Sequence, residues 1–144
     1  MKTDAFDNLG YLLKRSQQAL RNAMDNELRV LKLTSSQYAA LAALEREAGL
    51  SNADLARRCF VTPQTMHQIL LGLERSKLLE RTNHPEHGRV QTTALTVKGH
   101  TLLIQAHKRV LSVETKMLKG FTTRERNETK QKLIRLSENL ESET

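Results

Sequence analysis

The sequence predicts a mainly α fold of the α+β class: six helices, with one short two-stranded β-hairpin between the fourth and the fifth. Three observations carry this. Apolar residues recur at i, i+3, i+4 and i+7 over most of the chain, the spacing of helices with one buried face. Five segments open on a Ser or Thr placed to cap a helix, at Thr34, Ser51, Thr62, Thr96 and Thr122. Only between Leu79 and Leu95 does the period fall to two, in residues rich in β-formers.

Residues 4–31 read as one long helix, with Phe6, Leu9, Leu13, Leu20, Met24 and Leu31 at helical spacing and no proline between them. Thr34-Ser35-Ser36-Gln37 is a capping box, in which a Thr oxygen accepts from the third amide while Gln reaches back. It opens a second helix through Tyr38, Leu41, Ala42 and Leu44 to about Ala48, with Gly49 as the stop. Ser51-Asn52-Ala53-Asp54 starts a third, running through Leu55 to about Arg58. Thr62 and Pro63 start a fourth, because proline at the first helical position gives up an N–H that has no partner there. This helix carries Met66, Ile69, Leu70 and Leu73 on one face and Gln64, Thr65, His67 and Gln68 on the other.

Residues 79–82 and 90–95 form the hairpin, and Asn83-His84-Pro85-Glu86-His87-Gly88 is turn chemistry at its tip. Thr96 caps the fifth helix, with Leu102, Leu103, Ala106, Val110, Val113 and Met117 on one stripe. A second capping box, Thr122-Thr123-Arg124-Glu125, opens the sixth, which carries Leu133, Ile134, Leu136 and Leu140. A short third helix, a tight turn and a polar-fronted fourth helix are the arrangement that lays one helix in a DNA major groove. With the hairpin as its wing, residues 34–98 are a winged helix-turn-helix. The long flanking helices of residues 1–33 and 99–144 are expected to be dimerisation elements. Helices of about 20 residues are about 30 Å long, more than a compact winged domain covers, so a two-fold homodimer is the expected way to bury their stripes.

At 144 residues and 16.4 kDa the chain is long enough for one self-sufficient core. It has no apolar run of membrane-spanning length and no signal-peptide core after Met1-Lys2-Thr3-Asp4. Its single cysteine excludes an internal disulfide framework and points to a reducing compartment, so a cytoplasmic protein with no membrane role is expected. The net charge of +7 and the pI near 9.9 favour a polyanionic partner. The excess is spread: residues 51–98 carry seven Lys/Arg against four Asp/Glu, and residues 101–144 nine against six. There is no polybasic tail, so nucleic acid must be met by a folded surface. The absence of Trp and the 3% of aromatics argue against base stacking on an aromatic platform.

The candidate site is the front of the fourth helix. Its N-terminal amides, with Thr62 and Pro63 at the start, suit phosphate. Gln64 and Gln68 are one turn apart, and either side chain can pair with adenine; Thr65 suits a base edge or a thymine methyl, and His67 a phosphate or a guanine acceptor. At the hairpin tip, Arg89 suits an A·T-rich minor groove, with His87 beside it. The plainer alternatives are a solvated helix face and a surface Arg near a turn. His84 and His87 have a spacing that could begin a metal site, but no further ligands stand nearby and Cys59 is the only thiol, so no metal and no cofactor are expected. Cys59 follows Leu55 by four residues, on the apolar side of the third helix. It reads as a small core residue, with a redox-sensing thiol activated by Arg57 and Arg58 as the alternative.

The ordered set of Leu33-Thr34-Ser-Ser-Gln37-Tyr38, Leu50-Ser51-x-x-Asp54-Leu55-Ala56, Val61-Thr62-Pro63-Gln64-Thr65, Leu78-Leu79-Glu80-Arg81, Arg89-Val90, Ala94-Leu95-Thr96-x-x-Gly99 and Phe121-Thr122-x-x-Glu125 resembles the MarR family of bacterial transcriptional regulators over almost the whole chain. The resemblance implies an obligate dimer of triangular outline with a winged helix-turn-helix in each corner. It also implies a near-palindromic double-stranded DNA operator, usually repression, and release by a small ligand or an oxidant. It further implies a small aromatic or acidic effector between the winged domain and the dimer helices, where sequence order makes Arg15 and Tyr38 candidates. The plainer reading makes Tyr38 core and Arg15 solvated.

Three departures from the family pattern stand out. His84 and His87 stand where acids are usual, and the second acid usually holds the wing Arg. Lys77 stands where Gly usually ends the recognition helix. Cys59 does not match the near-N-terminal cysteine of the peroxide sensors. The competing function is a winged-helix protein-interaction module without DNA binding, which Leu71 alone favours. No catalytic triad, phosphate loop or carboxylate pair supports an enzyme.

Overall fold

Helix caps decide where the chain's elements begin. A computed structural model describes residues 4–83 and 91–142. Helix α1 spans Leu9–Leu28. It starts five residues later than the apolar spacing predicts, because the Asn8 side chain accepts from the Tyr11 amide at 2.8 Å and caps it there. Upstream, the Asp4 carboxylate accepts from the Phe6 amide and holds a turn, the local competition with helix that Asp favours. A 3₁₀ turn, Arg29–Leu31, follows α1. Helix α2 is Ser35–Arg46, opened by the complete Thr34/Gln37 capping box. It ends two residues before the expected stop, and Gly49 takes φ +78° in the turn that follows.

Helices α3, Asn52–Arg58, and α4, Pro63–Arg75, follow as the sequence predicts, capped by Ser51 and Thr62. Strands β1, Leu79–Asn83, and β2, Gln91–Leu95, pair antiparallel with Leu79 opposite Leu95 and Arg81 opposite Thr93. Leu79 and Thr93 point into the core, while Glu80 and Ala94 face outward, the alternation a half-buried ribbon requires. Helix α5 is Val97–Met117, and α6, Thr123–Glu141, opens on the Thr122/Glu125 box.

The chain divides into two compact units between Val113 and Glu114. The core of the first is built by Leu28, Leu41, Leu55, Met66, Leu73, Leu79 and Leu103, all but closed to solvent, so the five helices α1 to α5 and strand β1 all contribute. Each such side chain stabilises the fold by roughly 2 kcal/mol relative to exposure. The predicted buried stripe of α4 is real: Met66, Leu70 and Leu73 are buried. The stripe of α1 is not covered in the same way, since Leu9 and Leu13, with Phe6 upstream of the helix, are exposed. In the second unit, Arg124 pairs with Glu128 one turn on at 2.8 Å, and Leu133, Ile134 and Leu140 are exposed.

Candidate nucleic-acid interface

The front of α4 is fixed from its first turn. The Thr62 hydroxyl oxygen accepts from the Thr65 amide at 3.1 Å, and its proton lies toward the Thr65 hydroxyl at 2.9 Å. With Pro63 at the first helical position, the remaining N-terminal amides and the positive end of the helix dipole are left for an anion. Thr62, Pro63, Gln64, Thr65, His67 and Gln68 are all exposed, while Met66 and Leu70 are buried between them. All six predicted helix residues are therefore open to solvent at the start of α4. Leu71 is half-buried, which removes the one apolar residue suggesting a protein-binding front. The wing residues His87 and Arg89, and with them His84, lie outside the described residues.

Contacts that sequence reasoning missed hold this helix at both ends. Asn52, the first residue of α3, donates from Nδ2 to the Pro63 carbonyl at 3.0 Å. At the other end, Thr96 Oγ1 donates to the Lys77 carbonyl at 2.6 Å, the Thr96 amide to the Leu78 carbonyl at 3.1 Å, and Lys98 Nζ to the Ser76 carbonyl at 3.1 Å. Gly99 lets α5 approach this closely, because a Cβ there would overlap the Leu78 carbonyl oxygen. Arg81 on β1 reaches Glu74 on α4 at 3.3 Å and ties the wing's base to the same helix. Only Gly99 carried a signal in the sequence, since a Gly early in a capped helix asks for a close neighbour.

Lys77 adopts φ +59° and ends α4 in a left-handed cap. The Lys77 and Leu78 amides donate back to the Glu74 and Leu73 carbonyls, both at 2.9 Å. The helix end thus keeps the geometry that glycine favours, at a cost Lys bears and Gly does not. The turn between α3 and α4 repeats the device with Phe60, at φ +56°, whose amide donates to Arg57 at 3.3 Å while Val61 donates to Ala56 at 3.1 Å.

Behind that turn lies a cavity of about 190 Å³. Helix α1 supplies Gln17, Leu20, Arg21 and Met24, α2 supplies Ser35, Ser36 and Ala39, and the turn supplies Cys59, Phe60 and Val61. Arg21 is the only charged side chain among these described residues. Burial pushes the Cys59 thiol above its ordinary pKa, so its sulfur is held protonated. That fits the small apolar residue and removes the activation a sensing thiol needs.

Neither Arg15 nor Tyr38 lines this cavity. Arg15 is exposed on α1. The Tyr38 hydroxyl stands 2.8 Å from His107 Nδ1, and His107 Nε2 is 3.0 Å from the Glu45 carboxylate. A carboxylate only accepts, so Nε2 carries the proton, and in the neutral ring Nδ1 accepts from Tyr38. The chain Tyr38–His107–Glu45 ties α5 to α2. On α3, Asp54 accepts from the Ser51 hydroxyl at 2.8 Å and pairs with Arg57, which together hold its carboxyl below the usual range.

A family model for the MarR family matches residues 31–90. The chain is 34% identical over 128 residues to the HTH-type transcriptional repressor Rv2887 of Mycobacterium tuberculosis, covering 89% of this chain and 92% of that protein. The solved structure of Rv2887 with salicylic acid superposes with a TM-score of 0.78, covering 94% of this chain and 99% of that one, at 34% identity. The structure of Rv2887 with DNA gives a TM-score of 0.72 at 33% identity, covering 92% and 98%. A relative this similar over nearly its whole length, on a capped polar-fronted α4 with a strand pair behind it, settles the matter: the chain belongs to the MarR family, with the winged helix-turn-helix as its fold.

Proposed function

We propose that the protein is a transcriptional repressor that binds a near-palindromic DNA operator as a homodimer and is released by a small aromatic acid. The observation that carries this reading is the front of α4: six exposed polar or cap residues on a helix anchored at both ends. Such a surface presents rigid hydrogen-bonding groups to base edges. Family membership and a relative solved with both DNA and salicylic acid support it. His87 and Arg89 are the further DNA contacts proposed from the sequence. The protein acts by binding and not by catalysis.

The cavity beside the α3–α4 turn supports an effector seat, with Arg21 to meet a carboxylate. Arg15 and Tyr38 stay as second candidates, and an effector at Tyr38 would have to displace His107 from its hydroxyl. The direct test is fluorescence anisotropy on the DNA next to the protein's own gene. An inverted repeat protected in footprinting and released by salicylate is the expected result. Equal affinity for that DNA and for a scrambled duplex would overturn the reading.

A further inference from the structure

Arg81 is a charged residue on the core side of the wing. Side chains alternate along a strand, so Arg81 shares its face of β1 with Leu79, two residues before it. Leu79 is closed to solvent, and Thr93, the cross-strand partner of Arg81, is buried as well. The Arg81 side chain is itself only 16% exposed. Its Nε lies 3.3 Å from Glu74 Oε2 on α4, an ion pair by distance but not a hydrogen bond. Neither Nε nor Nη2 has a hydrogen-bond acceptor among the described residues, and both atoms are shut off from solvent.

This arrangement does not serve stability. Unpaired donors on a buried guanidinium cost free energy, and an apolar side chain of similar length in such a place is commonly neutral or stabilising. Where a local choice opposes stability, function is the usual reason. What the pair supplies is placement. A lone two-stranded ribbon is marginal in water and takes its direction from what it packs on. Leu79 fixes the ribbon at its base. Arg81 stands two residues further out, about 7 Å along the strand. There the Glu74–Arg81 contact is the only ion pair from the ribbon to α4 among the described residues. Glu74 lies in the last turn of the helix that presents Gln64 and Gln68, so the pair joins the ribbon to the reading helix itself.

We propose that Arg81 is a positioning residue for operator binding: paired with Glu74, it fixes the angle between the wing and α4, so that both meet the DNA at once. This rests on the reading that Arg89 contacts DNA from the wing. Arg81 touches neither base nor phosphate in this scheme and acts through the ribbon it holds. A ribbon released from Glu74 keeps its strand pairing but samples a range of angles. Operator affinity then falls by the fraction of time spent at the binding angle.

The test compares the full-length wild-type chain with Arg81→Met, Glu74→Gln, Arg89→Ala and the two doubles that carry Arg89→Ala. Thermal unfolding reads stability. Anisotropy on the DNA next to the protein's own gene, over a range of salt, reads affinity and its salt slope. R81M removes a buried charge and is expected to melt at or above the wild-type temperature. E74Q leaves the guanidinium without its carboxylate and is expected to melt lower. Both are nevertheless expected to bind the operator about tenfold more weakly, with the salt slope reduced by about one unit as the wing contact is lost. Opposite effects on stability with the same effect on binding are not the mark of a merely structural residue. In the R89A background either change is expected to cost less than about twofold more. Wild-type operator affinity in R81M or in E74Q overturns the proposal. So does an R81M chain that melts lower, or a full tenfold loss on top of R89A, since Arg81 then acts by stability or at another contact. If R89A alone binds as wild type does, the wing reading fails and this inference with it, while the α4 reading stands.

Discussion

Gln64 and Gln68 are exposed one turn apart on a helix whose buried face is closed by Met66, Leu70 and Leu73. Each good bidentate pair with a base contributes about 1–3 kcal/mol of discrimination. Replacing either Gln by Ala is therefore expected to lower the ratio of operator to scrambled-DNA affinity by about 5- to 150-fold, measured by competition at fixed salt. Lys77 allows a prediction of opposite sign. Its left-handed φ of +59° favours Gly, so Lys77→Gly is expected to stabilise the fold by about 1 kcal/mol in denaturant unfolding, less what the more flexible unfolded chain takes back. Burial disfavours the Cys59 thiolate, so its alkylation at pH 8 is expected to lag a model thiol and to accelerate only at higher pH. The caps Thr34, Ser51, Thr62 and Thr122 were legible in the sequence because capping is local chemistry. The left-handed Phe60 and Lys77 were not, because their residue types argue against that conformation and only the closing amide bonds reveal it.

At the scale of elements, α4 works because its neighbours hold it. Gly99 lies against the Leu78 carbonyl, and Ala there forces α5 off the end of α4. Gly99→Ala is expected to cost about 1–3 kcal/mol in thermal or denaturant unfolding, as overpacking does. The start of α3 is acid-sensitive. Asp54 has its carboxyl held low by Ser51 and Arg57, so it favours the fold at pH values above its unfolded pKa of 3.8. That contribution is lost as pH falls through the lower folded value. Asp54→Asn is expected to flatten the acid limb of a stability profile below about pH 4. Element order, type and the α4 face followed from periodicity and caps. The start of α1 did not, because Asn8 outcompetes a continuous apolar pattern that reaches back to Phe6. Nor did the links from Asn52, Thr96 and Lys98 to α4, which join residues 11 to 22 positions apart through side chains common on any surface.

The whole molecule is a family fold carrying several choices of its own. Leu9 and Leu13 in the first unit, and Leu133 and Ile134 in the second, are exposed in the single chain. A second copy is the proposed cover. Ile134→Glu is expected to shift sedimentation from dimer to monomer and to weaken operator binding, because a two-fold dimer reads two half-sites about one helical turn apart. Order along the chain points to Arg15 and Tyr38 for the effector. Order cannot show that Tyr38 faces His107, or that Arg21, six residues on from Arg15, reaches the cavity instead. The most direct test of the central claim is the footprint and affinity of the full-length chain on the DNA beside its own gene, set against a scrambled duplex over a range of salt. The account predicts a protected inverted repeat, with affinity 10³-fold or more above the scrambled duplex at physiological salt and falling steeply as salt rises. Affinities equal within a few-fold, with no protected repeat, would contradict it.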